Sequence, residues 1–182
     1  MKANNFSIAY DVTNERLEQA IAIDKQFFIS EEVGDQNVCC DWLSVNKDIY
    51  TFLLYDDCVV GYINFMAVTD NCYDRILKGT LPDYEMTLED ILPFKLGENK
   101  CLFTSIALDK KFQNGIAVKK LWQGFCDKVE KIISQGKHIS HVVMDCVTPI
   151  GEKCAKHFLK AHFVTTSKHG KIYEVRNFNV DD

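Results

Sequence analysis

The feature that most constrains this chain is a strand that leads through a short glycine-bearing loop into a long helix, within residues 100–136. The strand, residues 101–108, is a largely apolar run of the kind that a sheet buries on both faces. The loop, residues 109–117, contains Gly115. The first N–H groups of a helix lack intrahelical partners and carry the positive end of its dipole. The unit therefore predicts a phosphate-binding loop, in which Gly115 leaves room for a ligand to approach.

The helix after the loop carries one apolar stripe at helical spacing, and Gly136 stands where the helix is expected to stop. We expect the whole stripe, including its aromatic pair, to pack in the core. The stripe consists of Val118, Leu121, Trp122, Phe125, Val129, Ile132 and Ile133.

Composition excludes several classes of protein. With 182 residues, 47% of them hydrophobic and 26% charged, the chain predicts one folded domain, residues 1–182, rather than a disordered segment. A net charge of −5 argues against a nucleic-acid partner. The N-terminus has no apolar signal core, and the longest apolar-rich run, residues 59–68, is shorter than the about 20 residues that span a bilayer. We expect a soluble, cytoplasmic protein without a membrane partner.

The eight cysteines predict neither a zinc site nor a disulfide framework. No CxxC pair occurs, and Cys39 and Cys40 are adjacent, which suits neither arrangement. His138 and His141 are three residues apart in a predicted strand, so they face opposite sides. We therefore expect reduced thiols and no metal. The cysteines that fall in apolar runs are Cys101, Cys126, Cys146 and Cys154.

The other periodic segments complete an ordered set of elements. Thr13 is expected to cap a first helix that carries Leu17, Ala20, Ile21, Phe27 and Phe28, and Thr148 with Pro149 is expected to start the last one. Asp56 and Asp57 form a predicted two-residue hairpin turn. Strands are predicted at residues 6–10, 49–55, 58–68, 101–108, 139–147, 162–167 and 171–175, and a short helix at 38–45.

Two acidic segments interrupt this pattern. Residues 30–36 form a short acidic connection, and residues 69–99 form a longer acidic insertion with two predicted short helices, at 72–77 and 88–92. An insertion of this length between two strands is either a lid over a binding site or a solvated surface loop. Both interpretations stay open.

The segment from Ser105 to Leu121 resembles the acetyl-CoA-binding motif of the GNAT superfamily of N-acetyltransferases. Gly115-Ile116-Ala117 is similar to the second half of that motif, whereas Gln113 stands one residue closer to Gly115 than in the family pattern. The stretch from Asp145 to Phe163 is similar to the family's closing pattern of a strand followed by a helix. The element order β α α β β β α β α β β also agrees with the family.

The resemblance implies an α/β (α+β) fold with a mixed, mostly antiparallel central sheet of about seven strands flanked by helices. It also implies acetyl-CoA as cosubstrate and transfer of its acetyl group to a primary amine of a small molecule or peptide. Main-chain groups of the strand would face the pantetheine arm, and those of the loop would hold the pyrophosphate. The residues implied in cofactor binding are Ile106, Ala107, Leu108, Gln113, Asn114, Gly115, Ile116, Ala117 and Val118.

The chain departs from the family where the chemistry takes place. Phe158 stands in place of the usual Tyr proton donor, Gly151 in place of Asn, and His162 in place of Gly. Asp145 is the candidate catalytic base, because it is the one acid on a face shared with valines near the end of its strand. The alternative is a structural carboxylate. Asp109 and Cys146 are weaker candidates, a turn residue and a packing thiol.

The sequence thus predicts an acetyl-CoA-dependent N-acetyltransferase, with a cationic acceptor favoured by the acids of residues 69–99. A non-catalytic acyl-CoA-binding sensor or regulator of the same fold is the main alternative, and a CoA-independent interaction module is a third. The sequence leaves a homodimer open.

Overall fold

The computed structural model describes residues 5–28 and 36–178, which form eight strands and five helices. The predicted connection at residues 30–36 therefore lies outside the described residues, except for Gln36. The elements are β1 (Phe6–Ala9), α1 (Asn14–Asp24), α2 (Gln36–Val45), β2 (Tyr50–Tyr55), β3 (Cys58–Val68), α3 (Asp70–Leu77), β4 (Ile91–Leu92), β5 (Gly97–Leu108), α4 (Gly115–Ser134), β6 (Lys137–Cys146), α5 (Pro149–Phe158), β7 (His162–Thr166) and β8 (Lys171–Arg176).

The predicted element order is confirmed, with α3 and the two-residue β4 added inside the insertion. One detail was wrong. Helix α1 ends at Asp24, so Phe27 and Phe28 lie beyond it, where the chain turns back on the Asp24 carbonyl. The second short helix predicted in the insertion is a single 3-10 turn, Leu88–Asp90.

The strands form one mixed sheet in the order β1-β2-β3-β5-β6-β8-β7, with β4 paired to β3. Its strand pairs are antiparallel except β5 and β6, which run parallel. The predicted mostly antiparallel sheet is therefore confirmed, although it has eight strands rather than seven.

Helices cover both faces of the sheet. Helices α1, α2 and α3 bury apolar side chains against one face, and α4 and α5 against the other. The predicted stripe of α4 supplies four fully buried side chains to the second layer. These are Leu121, Phe125, Val129 and Ile132.

Side-chain caps and turns set the boundaries that matter for the site. The hydroxyl of Thr148 accepts from the Gly151 N–H and starts α5, as its sequence predicts. Gly136 follows α4 with a φ of +79°, a conformation that favours glycine. Asp56 and Asp57 also have positive φ, as the predicted hairpin turn requires.

The insertion is part of the packed fold rather than a solvated loop. Helix α3 buries Tyr73 and Ile76 against the sheet, and the Tyr73 hydroxyl donates to Oε1 of Glu174 at 2.7 Å. Glu174, on β8, is only 2% exposed. Of the two interpretations of residues 69–99, the structure excludes the solvated one for α3.

The cysteines of the described residues carry free thiols, four of them buried in the sheet and helices. No helix within residues 5–28 and 36–178 combines the length and the apolar character that crossing a membrane requires.

Candidate active site

The sheet opens between its two parallel strands. Strands β5 and β6 pair only as far as Leu102 and Val143. Two residues later, Thr104 forms a β-bulge against β3, between the pairs Asn64–Ser105 and Phe65–Phe103. A bulge bends its strand and increases the local twist, so the end of β5 turns away from β6. The remaining residues of both strands line a cleft between them.

The main chain of β5 turns two residues toward this cleft. The Asp109 N–H donates to the Val60 carbonyl directly opposite, which makes these two residues a hydrogen-bonded pair. Such pairs alternate along an antiparallel ladder, so the main-chain groups of Ile106 and Leu108 face away from β3. Because β6 has already parted from β5, they face the cleft. The family resemblance implied that main-chain groups of this strand would face the pantetheine arm.

A cavity occupies this cleft and encloses an empty volume of about 1090 Å³, counting the space open to solvent. Residues 102–106 of β5 form one side, and residues 144–148 at the end of β6 form the other. The insertion adds Ile76 and Leu81–Tyr84, and α1 adds Asp24. The insertion thus forms a wall of the cavity, as a lid would.

The N-terminus of α4 lies outside this cavity and is partly occupied by its own cap. Oδ1 of Asn114 accepts from the N–H groups of Ile116 at 3.1 Å and Ala117 at 3.0 Å. The expectation that these amides stand free was therefore wrong for two of them. Within the described residues, the N–H of Gly115 has no acceptor, and nothing lies within 4 Å of where a Cβ at Gly115 would stand.

Two more side chains of the loop form hydrogen bonds to neighbouring elements. Nε2 of Gln113 donates to the Leu108 carbonyl at 3.3 Å. The carboxylate of Asp109 accepts from Nε2 of Gln26 at 2.9 Å and from the Lys111 N–H at 2.8 Å. Asp109 is therefore a turn and bridging residue that joins the loop to the chain after α1.

Asp24 is a cavity carboxylate that the sequence analysis missed. It is the last residue of α1 and accepts a hydrogen bond from the Tyr62 hydroxyl. Burial raises the pKa of Asp24 to about 6, the hydrogen bond from Tyr62 opposes the rise, and the charge of Asp83 adds to it. An acid at the C-terminal end of a helix, where the dipole disfavours negative charge, is the signal that could have singled it out.

Asp145 lines the same cavity from the end of β6. Its Oδ1 atom is shielded from solvent, and a Cβ at Gly170 would stand 2.5 Å from that atom. The turn before β8 therefore lies directly over one oxygen of this carboxyl. Beside it, burial raises the pKa of the Cys146 thiol to about 12, which leaves Cys146 a packing thiol rather than a nucleophile.

Among the sequence-predicted site residues, Ile106 and Asp145 line the cavity, whereas Ala107, Leu108 and residues 113–118 do not. Trp122 was expected in the core, but it is only partly buried and also lines the cavity. Its indole stacks on the ring of Phe158, with centroids 4.8 Å apart. The sequence also missed Tyr84 and His169, which line the cavity and hydrogen-bond to each other at 3.1 Å.

In the part of the chain that the structure describes, no group of three His, Cys, Asp or Glu side chains is arranged to hold a metal ion.

The sequence matches no protein-family model and no curated protein. The structure, however, is similar to solved acetyltransferases over nearly the whole chain. The loading GNATL domain of CurA from Lyngbya majuscula has a TM-score of 0.63 at 11% identity, over 94% of this chain and 97% of that one. A GNAT-family acetyltransferase from Listeria monocytogenes has a TM-score of 0.56 at 10% identity, over 94% of both chains.

The third structure is Naa50 from Arabidopsis thaliana, in complex with the bisubstrate analogue CoA-Ac-MVNAL. It has a TM-score of 0.55 at 12% identity, over 93% of this chain and 96% of that one. At these identities the likeness concerns the fold. The element order and the mixed sheet agree with it, and the chain has the fold of the GNAT superfamily of N-acetyltransferases.

Proposed function

We propose that this protein is an acetyl-CoA-dependent N-acetyltransferase that acts on a primary amine of a small molecule or peptide. The observation that carries the proposal is the cleft between β5 and β6, into which the main-chain groups of Ile106 and Leu108 turn. Strand groups that face away from β3 suit the amides of an extended pantetheine arm, although the Leu108 carbonyl already accepts from Nε2 of Gln113. The CoA-containing ligand of the Arabidopsis protein, which shares the fold, supports the same class of cosubstrate.

The diphosphate of the cosubstrate would lie at the start of α4. Gly115 offers a free N–H and open space, which suits an anion at a helix N-terminus. The amides of Ile116 and Ala117 would become available once the Asn114 side chain turns away.

The acetyl transfer requires a donor to the oxyanion and an acceptor for the amine proton, and both would come from groups at the cavity. A main-chain N–H of β5 that faces the cleft would stabilise the oxyanion of the tetrahedral intermediate. A carboxylate would accept the amine proton, and the cavity offers Asp24 as well as the sequence-predicted Asp145. Phe158 has no proton to give, so the leaving thiolate would be protonated by another donor or by water.

The absence of a hydroxyl at Phe158 favours one second candidate function, a non-catalytic acyl-CoA sensor. Thermal stability and turnover separate the two. Both functions require acetyl-CoA to raise the melting temperature, because a ligand that binds only the native state stabilises it by about 2.7 kcal/mol at 100 times its Kd. Only the enzyme releases free CoA thiol when amines are added. The panel should contain a diamine, an aminoglycoside, an amino acid and a peptide with a free N-terminus.

Two variants of one residue test the phosphate site. Gly115→Glu places a negative charge at the first position of α4, and Gly115→Gln places a neutral side chain of the same size there. Both fit the open space, so we expect the ligand-free melting temperature to stay near that of the wild type. We expect acetyl-CoA no longer to raise the melting temperature of Gly115→Glu, because the added carboxylate repels the diphosphate. The rise should be reduced less in Gly115→Gln, which adds no charge. An equal shift in both variants and the wild type would exclude this site.

A further inference from the structure

One carboxylate of the cavity lies where proton transfer is needed. Asp24 ends α1 and lines the same cavity as residues 104–106 of β5, which border the cleft. The Tyr62 hydroxyl, which is hydrogen-bonded to Asp24, comes from β3, the strand that pairs with β5 at this point. Three elements thus converge on the carboxyl group, and one side of it stays open to the cavity.

Among the described groups around Asp24, neither of the two tyrosines is suited to take up a proton near neutral pH. Burial raises the pKa of both Tyr62 and Tyr50 well above the ordinary value for tyrosine, so both hydroxyls stay protonated. Asp83, from the insertion, adds a negative charge that favours proton uptake by Asp24. Tyr62 can donate to Asp24 but does not compete with it as a base.

The acidity of Asp24 suits the task. A general base works best when its pKa lies near the working pH, and a carboxylate of ordinary acidity is a weaker base. Burial brings the pKa of Asp24 to about 6, so the group is ionised at pH 7 and still basic enough to hold a proton. Its position at the end of α1 acts in the same direction.

Asp145, the base predicted from the sequence, is less well placed. One of its oxygens, Oδ1, is shielded from solvent beneath Gly170, so at most the other oxygen is available to a substrate. Asp24 lines the same cavity from the end of α1.

We propose that Asp24 is the general base of the transfer, held by Tyr62, and this inference rests on the proposed function. The electron pair of a neutral amine forms the new N–C bond at the thioester carbonyl, and the pair of the C–S bond leaves with sulfur. The proton of the amine nitrogen passes to the Asp24 carboxylate. It is then returned to sulfur or to water, so that an amide and a free thiol result.

The test compares three single-charge removals in the full chain with the amine found most active. Asp24→Asn should lower kcat on the order of 100-fold, the size of a lost general base, with an unchanged KM for acetyl-CoA. Asp145→Asn, which removes the competing carboxylate of the same cavity, should lower kcat by clearly less than Asp24→Asn does. Asp41→Asn, an exposed position on α2, is the matched control and should change neither constant.

The pH profile separates a base from a structural residue. Wild-type kcat/KM should rise with pH through an apparent pKa near 6, the value of Asp24, and Asp24→Asn should lose that limb. Tyr62→Phe removes the hydrogen bond that lowers the pKa of Asp24, so the limb should move to higher pH. If Asp24→Asn lowered activity only by destabilising the fold, its kcat/KM would still rise with pH through the same apparent pKa.

Failure of this inference differs from failure of the proposed function. If the wild type releases thiol but Asp24→Asn keeps both its rate and the acidic limb, Asp24 is not the base. If Asp145→Asn loses the limb instead, the base is Asp145. If the wild type gains no stability from acetyl-CoA and releases no thiol with any amine, both proposals fall together.

Discussion

The carboxyl group of Asp24 is largely buried, but one side of it borders the cavity. Asp24 contacts Tyr62 at its shielded side and the cavity at the other. Keeping it ionised costs the folded state free energy, because the unfolded chain solvates the same carboxylate fully. Because no cationic side chain among the described residues pairs with it, the ionised Asp24 lowers the stability of the folded protein at its candidate site.

That cost predicts how the stability of Asp24→Asn depends on pH. Well below pH 3.8 the carboxyl is protonated in both the folded and the unfolded state, and it contributes nothing. As pH rises from its ordinary pKa of 3.8 to its folded value of about 6, the folded state holds the proton more tightly, so wild-type stability falls. Above about pH 6 the loss is constant, on the order of 1–3 kcal/mol.

We therefore expect Asp24→Asn to match the wild type well below pH 3.8 and to unfold at a higher temperature at pH 7 and above. Thermal unfolding at a series of pH values measures this, with about 2–4 °C for each kcal/mol in a chain of this size. Asp41→Asn, exposed on α2, serves as the control. A gap between Asp24→Asn and the wild type that stays constant from pH 4 to pH 8 would exclude the pKa assigned to Asp24.

Among the elements, α4 shows a conflict between stability and binding at its first turn. Asn114 satisfies two of the amides that an anion would also use. The cap stabilises the free protein, because it gives acceptors to amides that would otherwise have none. A bound ligand can then take the place of the cap. The bound state would then replace the neutral hydrogen bonds of Asn114 with bonds to a charged phosphate, which are stronger.

The variant Asn114→Ala separates these two roles. Loss of the cap should lower the ligand-free stability by about 1 kcal/mol, a typical cost at an N-cap. Because the amides of Ile116 and Ala117 then stand free, the Kd for CoA should be equal to or lower than that of the wild type. Urea denaturation and isothermal titration calorimetry measure the two quantities. A large loss of CoA affinity would mean that the Asn114 side chain itself holds the ligand.

How far each element could be predicted depended on how local its determinants are. Helix α5 begins at Pro149 as predicted, since Thr148 caps it and Pro149 suits its first position. The end of α1 was placed too late, because Phe27 and Phe28 continue its apolar spacing although the chain leaves the helix at Asp24. Spacing alone does not record a helix end that lacks a glycine or proline.

At the scale of the whole molecule, the cavity depends on contacts that no local pattern contains. The bulge at Thr104 and the parting of β5 from β6 position the site, and neither has a signature in the sequence. Asp24 was missed because its partners Tyr62 and Asp83 lie 38 and more residues away along the chain. Ile106 and Leu108 were predicted because the motif and the strand pattern marked the same segment.

The divided sheet predicts where acetyl-CoA protects the backbone. In the free protein, the N–H groups of Ile106 and Leu108 face the cleft, whereas residues 97–102 of the same strand pair with β6. We expect acetyl-CoA to slow amide hydrogen exchange in residues 103–108 and at the start of α4, because a bound pantetheine arm and diphosphate would supply acceptors there. Mass spectrometry of peptides from both halves of β5 measures the contrast.

Strand β8 is the internal control, because its pairing with β6 and β7 is complete without a ligand. In β6, acetyl-CoA should slow amide hydrogen exchange only near residues 144–148, which line the cavity. Protection spread evenly over the sheet would indicate general stabilisation of the native state rather than a ligand in the cleft. Protection at the start of α4 alone would indicate that the diphosphate binds there but that the pantetheine arm does not lie between β5 and β6. The opening between these strands would then bind only the acceptor amine.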